Sequence, residues 1–405
     1  MIDTLREVAE TLSALHRPPC SPGERQAAEW LADRLRRAGA ASVELEDEPS
    51  WGQFPPLVTA IGAVGVVAAG LALRRRPLGA AALAVLSAAA LADEVENGPR
   101  LFRRALRRRR GTVNVVARSG DPAGERTLLV LAHHDAAQTG RVFDQTLQRK
   151  IHERFPNLLV RFKTQPPQWW LGLAAPLGAL ASALSGRRGP ARAGLLVGLV
   201  GTGLAADMWR SPTVPGANDN LSGVACLVGL AELLRDQPAS GVRVLLVSCG
   251  AEETLQDGIR AFMARHAPEL ELGGTVVLNY DTVGSPSLIM LEAEGPFWME
   301  EYPGTEFRDL IARCAQENGI SLERGFRARA STDGVIPARA GYPTATLASL
   351  NEWRAASNYH LLTDTPDNLD YQTIADAVRL GYQTLRLLAE PGPTRRPAPA
   401  PATAA

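Results

Sequence analysis

Lysine is almost missing from this 405-residue chain: it occurs only at Lys150 and Lys163, and the other 41 basic residues are arginine. With abundant alanine, that bias reads as GC-rich coding rather than as a function. Charge of one sign is also lacking. Lys+Arg and Asp+Glu both number 43, so the formal net charge is zero. A dedicated nucleic-acid binder is normally basic overall, so that class is disfavoured. Cysteine is sparse, at Cys20, Cys226, Cys249 and Cys314, with no close pair and no C-x-x-C. A disulfide scaffold is thereby excluded, and a reducing compartment is the simpler reading. No secretory-signal pattern stands at the start. The apolar fraction of 45% and the charged fraction of 21% are those of a folded protein, too apolar for a disordered one. At roughly 100–200 residues per domain, the length suggests two or three domains, or one large domain with insertions.

The first 40 residues read as two helices. Leu5, Val8, Leu12 and Leu15 repeat at helical spacing, as do Ala28, Leu31 and Leu35. Between them lies a Pro- and Gly-rich turn in which Ser21 can cap the second helix, with Pro22 at its first position. Residues 42–46 look like a short strand. The composition then shifts. Uncharged runs at 57–73 and 77–92 are split by Arg74-Arg75-Arg76 and followed by an arginine-rich stretch, 100–110. The pattern recurs with 169–186 and 193–206, split by Arg187, Arg188 and Arg192. Each run is near or below the lower end of the roughly 17–25 residues that span a bilayer. They are rich in Ala and Gly, as close-packed membrane helices are, and Trp169, Trp170 and Trp209 sit at run ends, where interfacial aromatics belong. Two membrane hairpins are expected; buried core helices are the alternative.

Between and after the inserts, TVNVVA and TLLVLA read as adjacent strands. A long helix follows Ser222, with Leu227, Leu230, Leu233 and Leu234 on its apolar face, and 242–247 and 275–279 are further strands. Apolar strands alternating with helices indicate a mainly parallel sheet covered on both faces. The expected organisation is one α/β domain built from 1–50, 111–140 and 212–390, about 259 residues, a size suited to a single core. It is interrupted by hydrophobic hairpins at 51–110 and 141–211 and followed by a disordered Pro/Ala tail, 391–405. Each insert holds an even number of runs, so the three soluble pieces can meet on one side of a membrane.

Five stretches sit just after apolar strands or at turns, where α/β sheets bind ligands. Ala132-His133-His134-Asp135 ends TLLVLA. An imidazole there can hold zinc while a carboxylate orients it, or the pair can be plain loop histidines. Pro215 to Gly223 includes Gly216-Ala217-Asn218-Asp219-Asn220, in which Asp219 is either a helix cap or a carboxylate aimed at two metals. Gly250-Ala251-Glu252-Glu253 follows RVLLVS. Adjacent glutamates suit a helix N-terminus, or they divide between a metal ligand and a general base. Asn279-Tyr280-Asp281 follows TVVL. Asn358-Tyr359-His360 precedes Thr363-Asp364-Thr365-Pro366-Asp367. Each is ordinary alone. Together they supply two histidines and three carboxylates, a donor set suited to paired divalent metals.

The series H-x-D, G-A-N-D-N-x-S-G, G-A-E-E, N-x-D and Y-H with T-P-D downstream resembles the co-catalytic zinc aminopeptidases of the bacterial leucyl aminopeptidase and aminopeptidase Y type. The S-P-G-E turn of the opening also fits. The resemblance implies a three-layer zinc-exopeptidase-like fold with a mixed, mainly parallel central sheet, here carrying four inserted hydrophobic helices. It implies two Zn2+ ions: His133 and Asp281 complete one site, Glu253 and His360 the other, and Asp219 bridges. Glu252 becomes the general base and Asp135 the group that orients His133. A non-proline cis peptide at Asp219-Asn220 is implied as well. His134 stands where the family often has an aromatic residue. Ser331-Thr332-Asp333-Gly334 lies where family members shape the substrate pocket, or is a plain turn. His16, His152 and His266 read as surface or packing residues.

The expected protein is a membrane-anchored zinc metallopeptidase acting on the N-termini of peptides, with a peptide and the lipid bilayer as partners and no nucleic acid. Two alternatives stay open: an inactive peptidase-like membrane sensor or assembly protein, and a glutaminyl-cyclase-like zinc acyltransferase. Lys and Arg are denser in the flanks 100–110 and 141–163 than in the hairpin loops. By the positive-inside rule, that puts the catalytic domain on the cytoplasmic side of a multi-pass protein.

Overall fold

The computed structural model describes residues 1–390; the tail 391–405, expected to be disordered, lies outside the described residues. In chain order the helices are α1 (Ile2–Ser13), α2 (Pro22–Arg37), α3 (Pro55–Leu73), α4 (Pro77–Val95), α5 (Leu101–Leu106), α6 (Thr146–Arg154), α7 (Pro156–Leu159), α8 (Ala174–Ser185), α9 (Gly189–Arg210), α10 (Ser222–Asp236), α11 (Asp257–His266), α12 (Thr305–Glu317), α13 (Val335–Arg339) and α14 (Tyr371–Ala389). The strands are β1 (Ser42–Ser50), β2 (Arg110–Gly120), β3 (Arg126–His133), β4 (Val242–Cys249), β5 (Thr275–Tyr280), β6 (Ser287–Glu294), β7 (Glu300–Glu301), β8 (Glu323–Ala328) and β9 (Thr344–Leu350).

All nine strands join one sheet in the order β1-β2-β4-β3-β5-β9-β6-β7, with β8 also on β6. Its centre, β4-β3-β5-β9, is parallel, and the flanking pairs β1-β2, β2-β4 and β9-β6 are antiparallel. The sheet is mixed with a parallel middle, the α/β class expected. The expected adjacency of TVNVVA and TLLVLA does not hold. β4 lies between β2 and β3, brought there by the crossover through α10 and pairing in parallel with β3.

Strand side chains alternate between faces, and both faces are covered. Leu128, Val130 and Ala132 of β3 join the core shared with α1, α2, α10, α12 and α14, while Leu129 and Leu131 join the core made with Ile259, Phe262 and Met263 of α11. Burial on two faces is why these strands read as unbroken apolar runs. Ser21 caps α2 as expected, accepting a hydrogen bond from the Glu24 amide at 3.1 Å, with Pro22 in the first turn.

The inserted helices α3, α4, α8 and α9 pack on one another through small residues, among them Ala68, Ala69, Ala84, Ala179 and Ala191. Gly178 and Gly194 let α8 and α9 approach closely: a Cβ at either would stand 2.5 Å from a main-chain oxygen of the facing helix. Three of the four, α3, α4 and α9, are long and apolar enough to cross a membrane. The fourth expected helix is shorter than its run. Residues Gln168–Leu173 form a 3-10 turn, and α8 has only 12 residues. Pro176 accounts for the break, because it has no N–H and fits only the first turn of an α-helix.

Buried ion pairs tie this bundle to the sheet domain. Glu94 at the end of α4 accepts from Arg103 of α5 at 3.0 Å and 2.5 Å, and Arg103 also donates to the Thr254 carbonyl. Arg100 meets Asp257 at 3.0 Å.

Candidate metal centre

The carboxyl ends of the parallel strands converge. β3 ends in His133, β4 runs into Ala251-Glu252-Glu253, β5 into Asp281, and the loop after β9 returns His360. The turn before α10 brings Asp219, and the Asp219-Asn220 peptide is cis, as the resemblance implied. All seven sequence-selected residues, His133, Asp135, Asp219, Glu252, Glu253, Asp281 and His360, are found here. His133, Asp135, Asp219, Glu252, Asp281 and His360 are buried and Glu253 is half-buried.

Asp219 occupies the middle. Its Oδ1 lies 3.1 Å from His133 Nε2 and its Oδ2 2.8 Å from His360 Nε2. His360 Nε2 is also 3.3 Å from Glu253 Oε1. Donor atoms of His133, Asp219 and Glu253 all lie within 4.8 Å of one another. Yet His360 Nε2 and Glu253 Oε1 make no hydrogen bond of acceptable geometry despite being buried. Close polar atoms that do not point at one another are the mark of ligands aimed at common points between them. Asp281 faces the same cavity as these groups. Two imidazoles, a carboxylate with an oxygen toward each, and two further carboxylates are a donor set that suits divalent cations such as zinc.

The electrostatics agree. Burial first, then Asp219, pushes the Asp281 carboxyl up to about 7. Burial likewise raises Glu252 and Glu253. Burial opposes ionisation of Asp219 too, but the adjoining imidazoles of His133 and His360 outweigh it and hold that carboxyl below its ordinary range. A buried cluster with more carboxylates than cations needs compensating positive charge.

Around these groups is a scaffold that sequence reading largely passed over. Asp135 accepts from the Glu252 and Glu253 amides at 3.1 Å and 3.0 Å, and its Oδ1 stands 3.4 Å from His133 Nδ1. Asp364, from the T-D-T-P-D stretch, accepts from the Asn218 and Asp219 amides at 2.7 Å and 3.1 Å. Arg17, fully buried, donates to the carbonyls of His134 (2.9 Å), Pro215 (2.6 Å) and Gly216 (2.7 Å), stitching the first loop to the second. Glu24 of the S-P-G-E turn accepts from the Ala251 amide at 2.8 Å. Gln256 Nε2 donates to Glu252 Oε1 at 3.0 Å and to the Ser331 carbonyl at 2.8 Å. Asp333 is buried with neither oxygen hydrogen-bonded, and burial pushes it up to about 7. Only the motif spacing singled out Asp135 and the S-P-G-E turn; nothing in the local sequence marks Arg17 or Gln256.

His134 points away from the centre, its Nδ1 2.9 Å from Ser248 Oγ on the neighbouring strand, and burial lowers it to about 4. The remaining histidines are apart from the centre: His16 is exposed, His152 is half-buried, and His266 packs on Phe262 and meets Glu46 at 2.8 Å.

Residues 203–384 match the model described as Peptidase family M28. A curated relative, the probable lipoprotein aminopeptidase LpqL of Mycobacterium tuberculosis (strain ATCC 25618 / H37Rv), is 28% identical over 186 residues, 39% of this chain. The chain spans 37% of that relative's length. Among solved structures, an aminopeptidase from Aneurinibacillus sp. strain AM-1 superposes with a TM-score of 0.56 at 14% identity, covering 97% of this chain and 95% of that one. The LapA aminopeptidase of Legionella pneumophila superposes at 0.55 with 10% identity, covering 96% and 72%. The glutaminyl cyclase of Fimbriiglobus ruber superposes at 0.54 with 15% identity, covering 96% and 95%. The fold is therefore that of zinc-exopeptidase structures, and it is shared by two kinds of enzyme.

Proposed function

We propose that this chain is a membrane-anchored di-zinc metallopeptidase that removes N-terminal residues from peptides. The observation that carries the reading is Asp219, whose two oxygens face two different histidines across one buried cluster. His133 and Asp281 would hold one cation and Glu253 and His360 the other, with Asp219 shared. Two such cations, when bound, lower the pKa of a water and polarise the scissile carbonyl. Glu252 is the proton carrier. Its carboxylate takes a proton from the attacking water and delivers it to the amine released as the C–N bond breaks. Gln256 holds Glu252 Oε1, leaving Oε2, which stands 3.9 Å from His133 Nε2, to face the centre. Asp135 fixes the backbone from which Glu252 and Glu253 both extend.

The bundle supports membrane anchoring. Leu78, Leu184, Leu196 and Val200 are 87%, 80%, 68% and 60% exposed, and exposed large apolar side chains on the helices of one bundle suit contact with lipid. Helices α3, α4 and α9 have the length and composition to cross the hydrocarbon core, and the shorter α8 packs beside α9. Both inserts then cross and return, and the arginine-rich flanks favour a cytoplasmic catalytic domain.

The test is Glu252→Gln. Turnover of leucine p-nitroanilide falls by about 10²–10⁴-fold while zinc content stays at the wild-type level. Undiminished turnover would overturn the base assignment. Product analysis on a peptide with N-terminal glutamine separates hydrolysis from cyclisation, and an inactive wild-type protein that binds zinc would favour the sensor reading.

A further inference from the structure

The metal cluster opens into a cavity of about 760 Å³, within the range of small-molecule sites. Its floor is His133, Asp219, Glu252, Glu253, Asp281 and His360. The helical parts of the two inserts line it with Val58, Leu91 and Val95 from the first and with Trp169, Leu204 and Met208 from the second, an apolar strip of wall, while the stretch that leads into the second hairpin adds polar side chains, among them Asp144, Gln148 and Lys163. Leu255, two residues beyond Glu253, packs in one hydrophobic cluster with Leu57, Ile61, Leu91 and Val95, so the catalytic loop and the helix bundle form a continuous apolar surface. Below the opposite side lies a buried cluster from β6, β8 and β9 that includes Ile289, Leu291 and Phe326, three residues that also line the cavity.

Resting on the hydrolase reading, we infer that the substrate is an amphiphile: an amide whose polar end reaches the metal cluster and whose long apolar chain lies between the inserted helices and the sheet. A short hydrophilic peptide would leave this wall wetted, at a cost proportional to its apolar area. A hydrocarbon chain, or an unbroken apolar stretch of peptide, removes that area from water.

The experiment measures binding separately from turnover. Full-length Glu252→Gln protein in lipid nanodiscs is titrated with two homologous series of zinc-compatible amides, leucine N-alkylamides and 2-aminoalkanoic acid amides, from ethyl to dodecyl. These place the chain on opposite sides of the scissile bond. In at least one series, affinity should rise with length by up to about fourfold per added methylene, then level off once the cavity is filled. Leu204→Trp and Val58→Trp, which fill the slot, should lower the ratio of long-chain to short-chain affinity. Leu184→Trp on the lipid-facing side of α8 should leave that ratio alone. A leucyl peptide with apolar residues following, compared with one of equal length bearing Ser and Glu, separates an apolar peptide from an alkyl chain as the source of the effect. Affinity flat with chain length in both series overturns the inference, while leucine p-nitroanilide hydrolysis by wild-type protein would still uphold the peptidase reading. Conversely, a steep length dependence without any hydrolysis supports the apolar site and counts against the peptidase.

Discussion

Replacing Asp135 by Asn exchanges one oxygen for an NH2 group beside three candidate site residues, His133, Glu252 and Glu253. The carboxylate accepts from the amides of Glu252 and Glu253 at 3.1 Å and 3.0 Å, and hydrogen bonds to a charged acceptor contribute about 1.5–3 kcal/mol each. An asparagine offers one oxygen. Its NH2 then confronts a second N–H, so one bond is lost and the other weakens to the neutral value, about 0.5–1.5 kcal/mol. The total loss is about 2.5–4.5 kcal/mol by the same values. Part appears as lower stability of the metal-free protein and part as weaker metal binding. Groups that orient metal ligands typically account for about 10–100-fold in affinity or activity, and Asp135 faces one ligand, His133, at 3.4 Å while bracing the backbone of another, Glu253. Zinc affinity measured by competition with a chromophoric chelator should therefore weaken by about 10–100-fold, and metal-free Asp135→Asn should melt below wild type. Zinc affinity within threefold of wild type, with an unchanged melting temperature, would refute the reasoning.

Glu94→Leu removes the nearer of the two carboxylates facing the buried Arg103 guanidinium, leaving Asp257 at 3.7 Å, and should cost up to about 3–5 kcal/mol, whereas Glu94→Leu with Arg103→Met should regain most of it; thermal unfolding in detergent decides, and a double variant no more stable than the single one contradicts the assignment. Stability of the metal-free protein should fall as pH rises. Burial pushes Glu24 and Glu294 up to about 8 and Asp364 up to about 7, so the folded state holds these protons more tightly than the unfolded chain, whose carboxyls titrate at about 4. Their contribution is complete below that value and is lost as pH climbs through 7 and 8. Melting temperatures that rise between pH 5 and 8.5 in the absence of metal would contradict it.

Most of the candidate ligands were legible because they follow an apolar strand, whereas Asp219 stands in the Gly- and Asn-rich turn before α10. The former, at His133, Glu253, Asp281 and in the loop to His360, coincide with the ends of parallel strands, which is where an α/β sheet gathers its site. Strand order was not legible. TVNVVA and TLLVLA are neighbours along the chain and equally apolar, and only the return of the chain through α10 inserts β4 between them. Hydropathy likewise marked four uncharged runs as helices, whereas one proline, Pro176, shortens the helix that follows the 3-10 turn. Arg17 and Gln256 escaped notice for a different reason. Their roles depend on which carbonyls and carboxylates the fold brings to them, and nothing within a few residues of either predicts those partners.

The central claim is that five side chains from distant parts of the sequence hold a pair of cations, with Asp219 between them. X-ray data collected from crystals at the zinc absorption edge address it directly. Two anomalous peaks about 3.5–4 Å apart are expected, flanking the Asp219 carboxylate, with His133 and Asp281 on one and Glu253 and His360 on the other. Zinc-loaded crystals with no peak beside Asp219, or with zinc bound only elsewhere, would contradict it.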